Sequence, residues 1–384
     1  MPYRSLLRVA GVGFFPLGFL ARLPYASSAL ATLILLQSST RSYAFAGFCS
    51  AAQSVATAAG GPVVGTLADR YGHRRVGSLA TLANIAAWTA LLAASNGSRA
   101  GMLVAAGLVG LTQPQIGPLV RVRWSRLVRE PRLLATALSY ESAADELGFV
   151  AGPALVGALT AVSALAPAMT TVLLLAAATL PFSLRYAGTG SASRREERRS
   201  PLPLGPLAGV SLAMAAMGTV FGAVQTAVTV YAGTTGEPGA AGLVYAEFGI
   251  GSALAGAACA WLPSRFALRA RYVTFAAALF VGMLVLCAGA RLVPLPVAVP
   301  VASLTVAPYM ITLYALTDRL APPDRAATAM TILCAAGPLG TAAGQAASGP
   351  LAETHGSGGA LLVALAAAAG ALLLAAGSGL PGRT

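Results

Sequence analysis

The sequence predicts an all-α membrane protein, with twelve transmembrane helices arranged as two pseudo-symmetric six-helix bundles. Three observations carry this: a scarcity of charge, a succession of apolar runs long enough to cross a bilayer, and arginines confined to alternate gaps between them. Hydrophobic residues fill 57% of the 384 positions and charged residues 10%, with a mean hydropathy of +0.74. A soluble domain carries about a quarter charged residues, so this chain has too little charge to cover a water-facing surface. Its 43 glycines and 24 prolines would suggest loops in a soluble protein. In membrane helices Gly permits close packing and Pro is tolerated.

A crossing needs about 20 mainly apolar residues. Such runs fall at 9–36, 42–67, 76–95, 100–121, 133–163, 166–186, 203–232, 240–262, 272–290, 294–317, 326–350 and 358–379. The first follows Arg4 and Arg8 as a signal peptide would. It continues to Leu36, too long for a signal's apolar core, and reads as an uncleaved span.

Arginine placement tests this count. The second-to-third gap holds Arg70, Arg74 and Arg75, and the fourth-to-fifth holds Arg121, Arg123, Arg126, Arg129 and Arg132. The central gap holds Arg185, Arg194, Arg195, Arg198 and Arg199. Arg265, Arg269 and Arg271 follow the eighth run, and Arg319 and Arg325 the tenth. The intervening gaps hold only Arg41, Arg99 and Arg291. Cytoplasmic loops carry the excess of basic residues, so both termini are expected in the cytoplasm and the anionic inner leaflet becomes a partner. The net charge of +13 is thus a loop property, and a nucleic-acid partner is excluded because no basic stripe lies on a soluble domain. Lys is absent beside abundant Ala and Gly, which suggests a GC-rich genome. The expected location is the plasma membrane, a bacterial inner membrane, with the chain a monomer.

The polar segment from Gly188 to Ser200 divides the chain into an N-terminal bundle at 1–187, a basic cytoplasmic linker at 188–201 and a C-terminal bundle at 202–384. An internal echo supports the division. GTLADRYGHR at 65–74 aligns with AWLPSRFALR at 260–269, matching Leu67 to Leu262, Arg70 to Arg265 and Arg74 to Arg269. Gly152-Pro153 is echoed by Gly349-Pro350. Duplicated halves around a midplane site mark secondary transporters.

Enzyme chemistry has no signature. His73 and His355 lie in loops without a nucleophile or metal cluster nearby, and no GxxxxGK[ST] sequence exists. Cys49, Cys259, Cys287 and Cys334 sit in apolar runs without ligand spacing. No metal and no cofactor is expected.

The segment GTLADRYGHRRV at 65–76 supplies Gly65, Asp69, Arg70, Gly72, Arg74 and Arg75 in order. Gly65 would allow close helix contact, Asp69 would pair or cap a helix, Gly72 would permit a tight turn, and Arg74 and Arg75 would anchor the loop to the inner leaflet. This order at this span resembles the signature loop of the major facilitator superfamily, and span count, central loop and topology extend the resemblance over the chain. The resemblance implies that Asp69 closes the cytoplasmic side against the start of span eleven, after Pro322-Pro323-Asp324-Arg325. GFVAGPALVG at 148–157 is similar to the superfamily's antiporter motif through Gly148, Gly152, Pro153 and Gly157, although the usual paired glycines of its tail are reduced to Gly157. It hints at export.

Buried charge is the third signal. Span five carries Glu141, Asp145 and Glu146, span one Arg22, and span eight Glu247. Arg22 lies about 21 Å of helix beyond Arg8, and Asp145 about 20 Å beyond Arg132. Spans one and five are neighbours in the superfamily, so Arg22 is expected to pair with Asp145 or Glu146. One guanidinium cannot neutralise three carboxylates, and at least one of these is expected to take up a proton readily. Asp145 is favoured, with Glu141 one turn away on its face. The bland reading is a structural ion pair with Glu141 in the headgroup zone.

The resemblance also implies that spans one, four, seven and ten line a substrate cavity. They offer Phe15, Tyr25, Gln113, Gln115, Gln225, Thr229 and Tyr309. The expected function is proton-coupled export of a small organic molecule. The competing readings are a facilitator or importer of a metabolite, and a receptor or scaffold that transports nothing.

Overall fold

The computed structural model describes residues 2–114, 116–128, 130–186, 201–237, 239–259, 262, 266–290, 292–322 and 326–378. Its regular structure is helical. Span one comprises Phe14–Leu20 and Leu23–Thr40, span two Tyr43–Tyr71 and span three His73–Ala94. Span four comprises Arg99–Leu111 and Ile116–Leu127, and span five is Pro131–Thr160. Span six runs from Ala166 to Tyr186 through a π turn at Leu175–Thr179. The second half repeats the order with Leu204–Thr235, Ala240–Ala258, Leu268–Gly289 and the pair Leu295–Ser303 and Val306–Leu320. Spans eleven and twelve are two helices within Ala326–Gly377, separated by the non-helical Gly356, where φ is +64°. The result is twelve membrane helices in two six-helix bundles. The expected linker from Gly188 to Ser200 lies outside the described residues.

Seven of these helical stretches are long and apolar enough to cross a bilayer by composition alone. Tyr43–Tyr71 is not among them, because Ser50, Gln53, Ser54 and Thr57 dilute its hydropathy. That helix faces protein, and its polar groups point inward: Ser50, Gln53 and Ser54 are buried.

Breaks fall where the sequence reading had continuous runs. A separate helix, Pro2–Ala10, precedes span one and ends at Gly11, whose φ of +84° suits glycine. Within span one the chain tightens at Ala21–Arg22, since Pro24 has no N–H to give to Leu20. Span four opens between Thr112 and Pro114 for a similar reason: the residue before a proline is pushed out of helical geometry. Irregular backbone at membrane depth is stable only where protein or a wet cavity satisfies it.

Helix association rests on close approach at glycines. A Cβ added to Gly218 would lie 2.9 Å from Thr341 N, and one on Gly222 2.9 Å from Gln345 N. Gly340 and Gly344 face back from span eleven against Ala215 and Thr219. Spans seven and eleven thus pack backbone against backbone through two pairs of glycines spaced four apart. Between the halves, a Cβ on Gly157 would lie 2.6 Å from Gly239 O, bringing span five onto span eight.

The halves also meet at the end of the molecule away from the Arg-rich loops. A Cβ on Gly47 would lie 2.6 Å from Gln345 O, and one on Gly349 2.8 Å from Tyr43 O. Beyond the apolar stretch that ends at Pro350, Glu353 Oε1 accepts from Ser42 Oγ at 2.6 Å and from Ala44 N at 3.0 Å. Ser42 in turn caps span two by accepting from Phe45 N. The Ser42 hydroxyl, then the Ala44 N–H, hold the Glu353 carboxyl below its ordinary value. A carboxylate with a lowered pKa stabilises the joined state above its unpaired titration range and loses that contribution as pH falls through the lowered value. Glu353→Gln should therefore widen the distance between spin labels placed at Arg41 and Thr354 at neutral pH. Acidifying wild type should widen it in the same way and leave the variant unchanged.

Candidate functional site

The break in span one delivers Arg22 to the interior, where it is 6% exposed. Its Nη1 donates to Gly18 O at 3.2 Å, its Nη2 pairs with Glu141 Oε2, and its Nε lies 2.8 Å from Asp145 Oδ1. Gly148, one turn after Asp145, packs beside Arg22, where a Cβ would stand 4.0 Å from Arg22 Cβ, an ordinary contact distance. Glu141 is fully buried and also accepts from Trp124 Nε1 at 2.6 Å. It is therefore a core carboxylate, enclosed by protein.

A second guanidinium completes the cluster. Arg121, read from sequence as a loop residue between spans four and five, lies on the helix Ile116–Leu127 and donates through Nη2 to Asp145 Oδ2 at 2.6 Å. Gly117 makes the fit possible, since a Cβ there would stand 3.1 Å from Arg121 Nη1 and 3.5 Å from both Asp145 oxygens. Arg121 thus adds a second cation to the one that the sequence reading counted against three acids. Arg22 and Arg121 face Glu141 and Asp145, and the Glu146 side chain lies outside what is described. The outer part of the cluster is accessible, with Arg121 38% and Asp145 26% exposed.

That accessible face opens between the halves. Tyr25 lies within electrostatic range of Asp145 and of Cys334 of span eleven. Tyr314 of span ten hydrogen-bonds Cys334, and both lie within electrostatic reach of Arg121. Cys334 is itself exposed. An exposed side chain flanked by residues of both bundles lines a cavity, not the lipid face. Phe15 stands beside it through an edge contact with Tyr140 at 4.9 Å, and Tyr140 interacts electrostatically with Arg22.

Deeper in, amides and hydroxyls link the bundles. Gln53 Nε2 donates to Ser28 Oγ at 2.5 Å, and Ser28 Oγ donates to Gln113 Oε1 at 3.4 Å. Across the interface Ser54 Oγ donates to Gln345 Oε1 at 3.4 Å, Gln345 Nε2 to Gln225 Oε1 at 2.8 Å, and Gln225 Nε2 to Tyr245 at 3.0 Å. Gln53 Oε1 and Gln113 Nε2 are buried with no hydrogen-bond partner among the described residues. Gln53, Gln345, Arg121, Trp124, Tyr314 and Cys334 were missed in the sequence. For Arg121 a signal existed: Pro114 and Gly117 ahead of it announce a broken span that extends past residue 121.

Other expected residues fall elsewhere. Tyr309 is fully buried and stacked on Tyr272 at 6.0 Å, so it packs spans nine and ten and faces no cavity. Thr229 bonds back to Gln225 O of its own helix. Gln115 lies outside the described residues, as do the side chain of Asp69 and residues 323–325. A Cβ on Gly65 would meet nothing within 4 Å among the described residues. Gly72 makes the turn into span three with φ +95°. Arg74 and Arg75 are exposed, and Arg70 lies over the Tyr71 ring at 5.2 Å. Gly152 packs on span one, where a Cβ would stand 3.0 Å from Ala26 Cβ, and Pro153 lies inside the span-five helix. Glu247 Oε2 is buried without a hydrogen-bond partner among the described residues. No group of three or more metal-binding side chains occurs among them.

Two six-helix bundles that meet around polar and charged side chains are the layout of secondary transporters. The sequence profile of the Major Facilitator Superfamily matches residues 14–344, and the chain belongs to that superfamily. No curated protein matches it in sequence. Among solved structures it is similar to a bacterial homologue of the iron transporter ferroportin in its inward-facing state, at 17% identity and TM-score 0.75, covering 97% of this chain and 98% of that one. It is also similar to the nucleoside transporter NupG, at 15% identity and TM-score 0.70 over 94% and 96% of the two chains. The human organic anion transporter MFSD10 (TETRAN) matches at 17% identity and TM-score 0.67, over 96% and 99%. These likenesses establish the fold. The chain is a membrane transporter for small molecules.

Because Glu141 has no exposed surface, Arg22→Ala should leave a buried carboxylate short of a cation and destabilise the protein by about 3–5 kcal/mol. Adding Glu141→Leu should recover much of the loss. Thermal unfolding of the purified single and double variants in detergent measures both.

Proposed function

We propose that the chain is a proton-coupled exporter working by alternating access, with the span-five carboxylates carrying the coupling proton and Arg22 as their shared counter-charge. The observation behind this reading is Asp145 shared between Arg22 and Arg121 at the cavity wall. When Arg121 turns away, one guanidinium faces two carboxylates four residues apart, and a proton on the pair restores neutrality. Asp145 is the acceptor of choice because it is the accessible member, whereas Glu141 is held by Trp124 inside the bundle.

Export is supported by the similarity of the Gly148–Gly157 segment to the antiporter motif and by its place against spans one and eight. Asp69 is assigned the cytoplasmic gate on the same resemblance. The state described here, joined at the Glu353 end, fits an inward-facing transporter if the Arg-rich loops are cytoplasmic.

Proteoliposomes with an imposed pH gradient test the coupling on a panel of fluorescent organic solutes. Wild type should concentrate a solute against its gradient. Asp145→Asn should abolish that while retaining solute counterflow. Identical pH dependence in wild type, Asp145→Asn and Glu146→Gln would reduce these acids to structural partners of Arg22, and loss of coupling in Glu247→Gln alone would move the proton site to span eight.

A further inference from the structure

Arg22 is spent inside the protein on Gly18 O, Glu141 and Asp145. Arg121 is placed differently. Its guanidinium is 38% exposed and bound to Asp145 through Nη2. A guanidinium carries five donors, so one bond to Asp145 does not exhaust it. Among the described side chains, the Tyr25 and Tyr314 hydroxyls and the Cys334 thiol lie within electrostatic reach of the Arg121–Asp145 pair. Glu141 is one turn from Asp145 but is buried behind it. A cationic solute would have to compete for Asp145 with an arginine tethered beside it. An anionic solute meets a partly exposed guanidinium with the Tyr25 phenol near Asp145, and both can donate to it.

We propose that Arg121 anchors an organic anion, a carboxylate or a phosphate, which takes the guanidinium from Asp145 as it enters the cavity. This rests on the coupling reading above and deepens it. The described cluster is neutral, with two guanidiniums against two carboxylates. The solute and Asp145 then compete for one guanidinium, and transport requires Arg121 to change partner. The bare Cα of Gly117 gives the side chain the space to do so.

Cys334 offers a reporter that needs no knowledge of the natural substrate. The full chain in nanodiscs is treated with two methanethiosulfonates, the anionic sulfonatoethyl reagent and the cationic trimethylammonium-ethyl reagent. Modification at Cys334 is followed by mass spectrometry, with each rate normalised to its reaction with a free thiol. The anionic reagent should be favoured about tenfold or more, the factor that a single nearby charge supplies at this range. Arg121→Gln should bring the ratio close to one, while Arg121→Lys, which keeps the charge, should retain most of it. Benzoate or phenyl phosphate should protect Cys334 where benzyl alcohol does not, and the better protector tells carboxylate from phosphate. A faster cationic reagent, a ratio that survives Arg121→Gln, or protection by benzyltrimethylammonium alone would overturn the proposal. Its failure is separable from that of the coupling reading, since the pH-gradient assay involves neither Cys334 nor these reagents.

Discussion

Apolar side chains gain little by leaving lipid for another apolar surface, so a membrane bundle has to be held by close packing and by polar contacts. In this protein the packing term comes from glycine. Gly218, Gly222, Gly340 and Gly344 bring spans seven and eleven to backbone contact, and Gly157 and Gly239 do so between spans five and eight. A methyl group at any of them would meet main-chain atoms, which cannot move aside as a side-chain tip can. Everything polar in the interior is positioned by these contacts. Gln225 can reach Gln345 because Gly222 admits span eleven one turn away.

Polar contacts between the halves and those within a half differ in character. The Ser54–Gln345 link and the Glu353 contacts are hydrogen bonds between neutral or exposed partners. The neutral bond contributes about 0.5–1.5 kcal/mol and the Glu353 contacts are exposed, so both can be exchanged for water when the halves move. The Arg22–Glu141 pair is of another order, and it lies within one bundle. A charge pair without exposure holds the N-terminal half rigid, while weaker contacts join that half to its partner. A rocking motion of two rigid bodies requires this ordering of strengths.

The cluster around Asp145 combines both regimes in one place. Its inner side, with Glu141 and Trp124, is dry and fully satisfied, whereas its outer side, with Arg121, faces the cavity. Breaks in the helices create this arrangement. Pro24 interrupts span one next to Arg22, and Pro114 interrupts span four ahead of Arg121. Each break turns the following segment, so that a guanidinium from each meets span five at one depth. The charged residues are thus placed by backbone irregularity that proline imposes and that a polar interior can tolerate.

Much of the architecture was legible in the chain because lipid imposes a one-dimensional rule. Span number follows from apolar length, and the halves from their repeated motifs, quantities that local sequence carries. Gly72 at its turn and Arg22 paired with Asp145 are of this kind, since turn geometry and helix depth can be counted along the sequence. The remainder depended on which faces meet. Hydropathy placed Arg121 in a loop, because an arginine after an apolar run looks the same whether the helix ends or continues past a break. Tyr309 was indistinguishable from a cavity tyrosine until Tyr272 was seen stacked on it. Gln53 and Gln345 joined the polar network only when spans two and eleven came together. A helix's rotation about its own axis is set by its neighbours' glycines and not by its own sequence, so the sequence determined the spans while the tertiary structure decided which side chains share the cavity.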